Sequence, residues 1–240
     1  MRFSIIPALD VAGGRLAVAG GGRSRPVDAF GGDPVAAARA MVEAGARALH
    51  LVDLDLAFGG APGLDVAAIR DVAPGAILQV SGGIGDLAAA MPYLAAGADR
   101  FVLGSLALAD EGRTLSTLRD AGASVVVGLE VDGGRIRPRR AAADEGDGFD
   151  LMSTVGWLHA AGAPAFLVTS TRRVAGLDGP DVDLVRRVVR AGRPTFAAGG
   201  VASLKDLRAL RDAGAAGAVV GRAALEGRFA LDEALAWAEA

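Results

Sequence analysis

Asp10 and Glu130 are the residues around which chemistry would be organised. Each is the carboxylate of a repeated phrase, "ALDVAGGRL" at 8–16 and "GLEVDGGRI" at 128–136, in which Gly13-Gly14-Arg15 answers to Gly133-Gly134-Arg135. Each follows a short apolar run, and so would stand at the C-terminal end of a strand. Two carboxylates that face one pocket can hold different proton affinities, one giving a proton while the other removes one.

Glycines supply a second signal. "SGGIG" (81–85) and "AAGGVAS" (197–203) each place a Gly-Gly pair after an apolar run, Gly82-Gly83 and Gly199-Gly200. One unit later come "LGSLA" and "VGRAA", with Gly104-Ser105 and Gly221-Arg222. Glycine lets the backbone approach a ligand closely, and the amides that follow sit at helix starts, which suits a phosphate dianion. A single Gly-Gly is as well explained by a tight turn. Here the pair is coupled to a further glycine, and the whole set occurs twice. Two phosphate cradles and a ligand phosphorylated at both ends are expected.

The elements that must position these groups are legible as well. Short apolar runs rich in β-formers occur at 3–9, 48–52, 77–80, 101–103, 124–129, 165–168, 195–197 and 218–220. Between them lie helical stretches such as "DPVAAARAMVEAGA", "DLAAAMPYLAAGA", "DVDLVRRVVRAG" and "SLKDLRALRDAGA", which open on Asp or Ser and end at Gly. Those are N-cap and C-cap residues. Leu204, Leu207 and Leu210 paint one apolar stripe on the last of these stretches. Continuous apolar strands alternating with helices indicate a parallel sheet covered on both faces. Eight such units in 240 residues fit a (β/α)8 TIM barrel, a fold of roughly 250 residues.

The repeat sharpens that expectation. "VSGGIGDLAAAMPYLAAGADRFVLGSLAL" aligns without gaps on "AAGGVASLKDLRALRDAGAAGAVVGRAAL", so Gly82, Gly97 and Gly104 map to Gly199, Gly214 and Gly221. Upstream, Gly45 maps to Gly162 at the same spacing. One domain is expected, built from two duplicated half-barrels of about 1–120 and 121–240. Asp10 and Glu130 would then face one another across its mouth, where the active sites of this fold lie.

Composition bounds the rest. The chain is 52% hydrophobic with a formal charge of −3, which gives no reason to expect nucleic acid or anionic membrane as a partner. It has no cysteine and only two histidines, which argues against thiolate or histidine-rich metal sites. No apolar run reaches membrane-spanning length and the N-terminus lacks a signal-peptide layout, so a cytoplasmic protein is expected. A monomer is expected too. His50 reads as a satisfied core histidine, His159 as a helix residue without a ligand role, and Trp157 and Trp237 as outer-shell packing. The polar segments 19–33 and 137–150 occupy equivalent places. They are expected to fold over the ligand, with Arg23, Arg25, Arg139 and Arg140 meeting its anionic groups.

Over essentially its whole length the sequence resembles the phosphoribosyl isomerase family of histidine biosynthesis. The resemblance is carried by "IIPALDV", "LHLVDLD", "GGI", "AAGGVASLKDLRAL" and, most specifically, "GAVVGRAALEGRFALDEAL". The cyclase subunit of imidazole glycerol phosphate synthase shares the half-barrel design, but "LVDLD" and the C-terminal segment fit the isomerases better. The resemblance implies an Amadori rearrangement of ProFAR, a small substrate with two phosphoribosyl groups, and no metal or organic cofactor. It implies Asp10 as base and Glu130 as acid, with Asp53 and Thr169 shaping the pocket.

The sequence also departs from the family's pattern. Glu130 stands for an aspartate, Ser170 and Val174 stand for two further carboxylates, Gly85 for an arginine, and Arg140-Ala141 for Gly-Trp. Two other readings therefore stay open. One is a related barrel acting on another phosphosugar, and the other is a phosphosugar-binding protein without turnover.

Overall fold

A computed structural model describes residues 2–20, 23–137, 148–174 and 176–239. Its first strands are β1 (Ser4–Ala12), β2 (Arg15–Gly20), β3 (Arg23–Pro26), β4 (Ala48–Asp53), β5 (Ile77–Ser81) and β6 (Arg100–Leu103). They are followed by β7 (Val125–Asp132), β8 (Arg135–Ile136), β9 (Phe149–Asp150), β10 (Phe166–Ser170), β11 (Thr195–Ala198) and β12 (Gly217–Val220). Eight of these, β1, β4, β5, β6, β7, β10, β11 and β12, pair in parallel around a ring that closes where β12 returns to β1. Each of the eight apolar runs of the sequence coincides with one of them, three (3–9, 124–129 and 165–168) beginning one residue earlier. The fold is a closed eight-stranded parallel barrel with helices around it.

The helices are α1 (Pro34–Glu43), α2 (Leu54–Ala57), α3 (Val66–Val72), α4 (Leu87–Ala95), α5 (Glu111–Ala121), α6 (Leu151–Ala160), α7 (Val182–Val189), α8 (Leu204–Asp212), α9 (Arg222–Leu225) and α10 (Leu231–Glu239). Their boundaries follow from capping chemistry. The side chains of Asp33, Asp86, Asp181 and Ser203 accept hydrogen bonds from the first-turn amides of α1, α4, α7 and α8. Each such cap stabilises its helix by about 1 kcal/mol. Gly45, Gly97, Gly192 and Gly214 just beyond their ends adopt positive φ, as helix-ending glycines do. Leu207 and Leu210 of α8 are fully buried, with Leu204 partly so.

Side chains alternate across the barrel wall with the two-residue period of a strand. Leu49 and Leu51 of β4 point outward into the large cluster shared with the helices, whereas Ala48 belongs to the inner cluster with Ile6, Val102, Leu167 and Phe196. Trp157 and Trp237 pack against the outer cluster; Trp237 lies edge-on to Phe3 with Arg211 over its ring.

The sequence did not announce the hairpins at the barrel mouth. β1 runs three residues past its apolar stretch and folds back as β2, with Ala12 opposite Arg15. Gly13 and Gly14 form the two-residue turn with φ of 55° and 71°. β7 does the same through Gly133 and Gly134, with φ of 57° and 84°, into β8. Two successive positive φ values define the tight hairpin turn whose twist matches the strands, and glycine takes them without strain. The repeated Gly-Gly-Arg phrase is thus a turn signal. Among the described residues, no helix is long and apolar enough to cross a membrane.

Candidate active site

The C-terminal ends of the barrel strands surround one cavity of about 710 Å³. Asp10 and Glu130 both line it, half-buried, from β1 and β7. These strands stand four places apart in the ring of eight, so the two carboxylates enter from opposite sides. Thr169, beside Glu130 on the neighbouring β10, also lines the cavity.

The glycine turns border the same cavity as two groups. Gly82, Gly83, Gly104 and Ser105 gather where β5 and β6 end, and Gly199, Gly200, Gly221 and Arg222 where β11 and β12 end. The groups again face one another across the ring, on an axis that crosses the line between the carboxylates. Packing demands glycine here as well. A Cβ on Gly82 would stand 2.1 Å from the Asp53 carbonyl oxygen, and one on Gly200 2.2 Å from that of Gly179. Each turn is therefore braced against the loop before it.

The cationic endowment of the two groups differs. Arg222 opens α9 and its guanidinium bonds Glu226, whose other carboxylate oxygen accepts from Arg228 Nε at 3.1 Å. The Arg222 hydrogen bond and then that of Arg228 hold the Glu226 carboxyl below its usual range. At the opposite group Ser105 occupies the corresponding place, and its hydroxyl donates to Glu130 Oε2 at 2.7 Å.

The structure places Asp53 differently from the sequence reading and adds to the reading of His50. His50 is a buried and bonded histidine as expected, yet it also reaches the cavity floor. Its Nδ1 lies 2.7 Å from Gln79 Nε2 and its Nε2 3.1 Å from Ser81 Oγ. Burial, and secondarily the positive charge of Arg100, lowers its pKa to about 4, so the ring is neutral.

Asp53 does not line the cavity. It shares the outward face of β4 with Leu49 and Leu51, and is fully buried. Its Oδ1 accepts from Leu56 N, while Oδ2 accepts from Gly63 N, Leu64 N and the Tyr93 hydroxyl, at 2.8–3.1 Å. Burial first, and then the bond to Asp53, pushes the Tyr93 hydroxyl's pKa upward. Asp53 thus shapes the pocket at one remove, by holding the loop that carries the cavity-lining Ala57 and Phe58.

The polar segments behave unequally. Arg23 and Arg25 lie exposed on β3, outside the cavity lining, while Val18 and Ala19 of the preceding β2 do line it. Arg137 lines the cavity as well. Arg139, Arg140 and Ala141 lie outside the described residues. Val174 lines the wall at the β10 end, whereas Ser170 is buried and Gly85 is outside the lining. His159 is exposed on α6. Among the described residues no cluster of three or more His, Asp or Glu side chains is placed to hold a metal ion.

Known proteins match this chain along nearly its whole length. The profile of the family described as histidine biosynthesis protein matches residues 4–230. A Frankia casuarinae protein named 1-(5-phosphoribosyl)-5-((5-phosphoribosylamino)methylideneamino) imidazole-4-carboxamide isomerase is 38% identical over 98% of this chain and 93% of its own length. The Thermobifida fusca protein of the same name is 37% identical over 98% and 96%. Phosphoribosyl isomerase A of Streptomyces griseus is 39% identical over 98% and 97%. A barrel with opposed carboxylates and paired glycine turns, matched end to end by these isomerases, belongs to the histidine biosynthesis protein family.

Proposed function

We propose that this chain is a phosphoribosyl isomerase of histidine biosynthesis that converts ProFAR from an aldose-type aminosugar to the aminoketose. The observation that carries the reading is the crossing of two axes in one cavity. Opposed carboxylates lie along one and opposed glycine turns along the other. A substrate with a phosphate at each end spans the turns, and its reacting ribose then lies between Asp10 and Glu130.

The chemistry is an Amadori rearrangement. Glu130 gives a proton to the ring oxygen of the ribose, the C1–O bond opens, and the nitrogen lone pair forms an iminium. Asp10 removes the proton from C2, giving an enolamine, and protonation at C1 with loss of the C2 hydroxyl proton yields the ketone. Proton transfer by one positioned carboxyl contributes about 10²–10⁴-fold. Binding at both phosphates holds the ribose still, so that these transfers occur within one complex. Thr169 borders the reacting ribose in this reading.

We also infer that the single domain was assembled from two duplicated half-barrels. Supporting this are the similar turns at Gly82 and Gly199 (φ 110° and 91°), Gly97 and Gly214 (106° and 88°), and the two Gly-Gly hairpins. The chain acts as a monomer in this reading, with all its site residues supplied by one copy.

The apolar wall of Val174 and Leu177 favours a second reading, a relative that accepts another bisphosphorylated sugar. One assay separates the two: conversion of ProFAR followed spectroscopically, with Asp10→Asn as control. Turnover that disappears in Asp10→Asn supports the isomerase. Unchanged turnover in that variant removes Asp10 from the mechanism, and absence of turnover in the parent chain returns the choice to the second reading.

A further inference from the structure

Phe58 borders the cavity, yet neither the carboxylates nor the glycine turns give it anything to do. It is 42% exposed, and among the described residues it is the one large exposed apolar side chain that lines the cavity. Isolated apolar groups on an outer surface are ordinary. One that borders a binding cavity is offered to whatever fills it. Phe58 is also the sole Phe, Tyr or Trp among the described lining residues. Both tryptophans pack on the outer cluster, and Tyr93 is bonded to Asp53 behind the wall.

The backbone around Phe58 is fixed in advance. Asp53 caps α2 through Leu56 N, and Phe58 N closes the end of that helix on the Leu54 carbonyl oxygen at 3.0 Å. Gly60 N bonds the Asp55 carbonyl oxygen at 2.8 Å, and Asp55 Oδ2 accepts from Gly13 N at 2.7 Å, which ties the loop to the β1–β2 hairpin. A ring carried on such a turn loses little freedom when a ligand settles on it. The turn also abuts one glycine group. A Cβ on Gly83 would stand 2.8 Å from the Leu56 carbonyl oxygen and 3.3 Å from Ala57 Cα. The wall here is apolar, with Ala19, Val52, Leu54 and Ala57, while the described lining cations, Arg137 and Arg222, follow β8 and β12. Such a wall suits a flat ring better than an anion.

We propose that Phe58 is a stacking platform for the planar aminoimidazole ring of the substrate, selecting ligands that carry a heteroaromatic ring beyond the phosphate. The identity of that ring rests on the isomerase reading given above. In a ribonucleotide one ribose separates phosphate from ring, so a phosphate at the Gly82-Gly83 turn brings its ring to the wall beside it.

The test is calorimetric binding of two ligands that share ribose and phosphate. One is 5-aminoimidazole-4-carboxamide ribonucleotide, which carries the ring, and the other is ribose 5-phosphate, which lacks it. Phe58→Ala should bind the ribonucleotide about tenfold more weakly, the size of a lost base–aromatic stack, and ribose 5-phosphate within about twofold of the parent. Phe58→Trp should bind the ribonucleotide at least as well as the parent. Phe58→Leu, apolar but without a flat face, should fall with Phe58→Ala. Equal weakening of both ligands in Phe58→Ala would overturn the proposal and make Phe58 a support for the phosphate turn. So would unchanged affinity for the ribonucleotide, or failure of the parent to bind it.

Turnover gives a separate readout. The ring lies several bonds from the reacting carbons and is held alike before and during the reaction. Phe58→Ala should therefore raise KM for ProFAR about tenfold and leave kcat within about twofold. A fall in kcat at constant KM would overturn the proposal. A parent without ProFAR turnover that still shows the ring-specific loss would sink the isomerase reading and leave Phe58 as the platform.

Discussion

His50 and Asp53 stand three residues apart on β4 and serve opposite faces of the barrel wall. His50 turns inward to Gln79 and Ser81 at the cavity floor, while Asp53 turns outward to the Tyr93 hydroxyl on α4. One strand therefore buries two titratable groups in two different environments. Each has its own consequence for stability.

For His50 the consequence is a pH dependence. Its folded pKa of about 4 lies below the ordinary value of 6.5, so the folded state favours the neutral ring. Above pH 6.5 neither state binds the proton and the group contributes no slope. As pH falls from 6.5 towards 4, the unfolded chain takes up a proton that the folded ring refuses. Stability then declines by up to about 1.4 kcal/mol per pH unit, about 3 kcal/mol in all. Urea unfolding of the parent and of His50→Asn at pH 7 and pH 4.5 should show the variant losing less on acidification. Equal losses would refute it.

For Asp53 the consequence is structural. Asp53→Asn keeps the shape, but an amide has only one oxygen for donors that now approach both. A donor is left facing either Leu56 N or the group of Gly63 N, Leu64 N and Tyr93 Oη. The expected loss is about 3 kcal/mol, against about 1 kcal/mol for Tyr93→Phe. Thermal melting should rank the two in that order. Because the loop carries Ala57 and Phe58, KM should rise in Asp53→Asn as well.

Symmetric turns should differ in their tolerance of a methyl group. Gly82 and Gly199 both have positive φ, 110° and 91°, where alanine is strained. At Gly82 the added carbon would also strike a backbone oxygen at 2.1 Å, whereas at Gly199 the nearest atom is 3.4 Å away. Gly82→Ala should therefore cost at least about 2 kcal/mol more than Gly199→Ala. Similar melting temperatures for the two variants would contradict the close approach.

Arg222 should make one phosphate end depend on charge more than the other. Inorganic phosphate, used as a competitive inhibitor, should bind Arg222→Ala about tenfold more weakly, the effect of one lost charge-assisted contact. Ser105→Ala, which removes no charge, should weaken it less, about threefold. A loss of equal size in both variants would mean that the two ends hold anions alike.

Much of this architecture was readable from the residues. Eight apolar runs, capped helices and spaced glycines are local signals, and the barrel obeys them. Asp10, Glu130 and the glycine turns were found because a strand end followed by glycine is a short-range pattern. The roles of His50 and Asp53 were harder, although the strand's parity held the clue. His50 is in phase with Ala48 and Val52, Asp53 with Leu49 and Leu51, and only the first set faces the axis. The bond from Ser105 to Glu130 joins two strand ends, and nothing local in the sequence encodes it. Likewise the Gly-Gly-Arg phrase was noticed for its repetition, while the hairpin it makes depends on φ values that a repeat cannot display.

Closure of the ring has a consequence for how the protein is made. β1 pairs with β4 on one side and with β12 on the other, Ser4 lying against Gly217. On the ribosome the first partner arrives early, but the second comes only after some 200 further residues. Until then β1 presents an unsatisfied edge, and so does each strand that has just been added. Such edges invite pairing with other nascent chains. Synthesis is therefore the stage of greatest exposure, and the last parallel strand to emerge ends it.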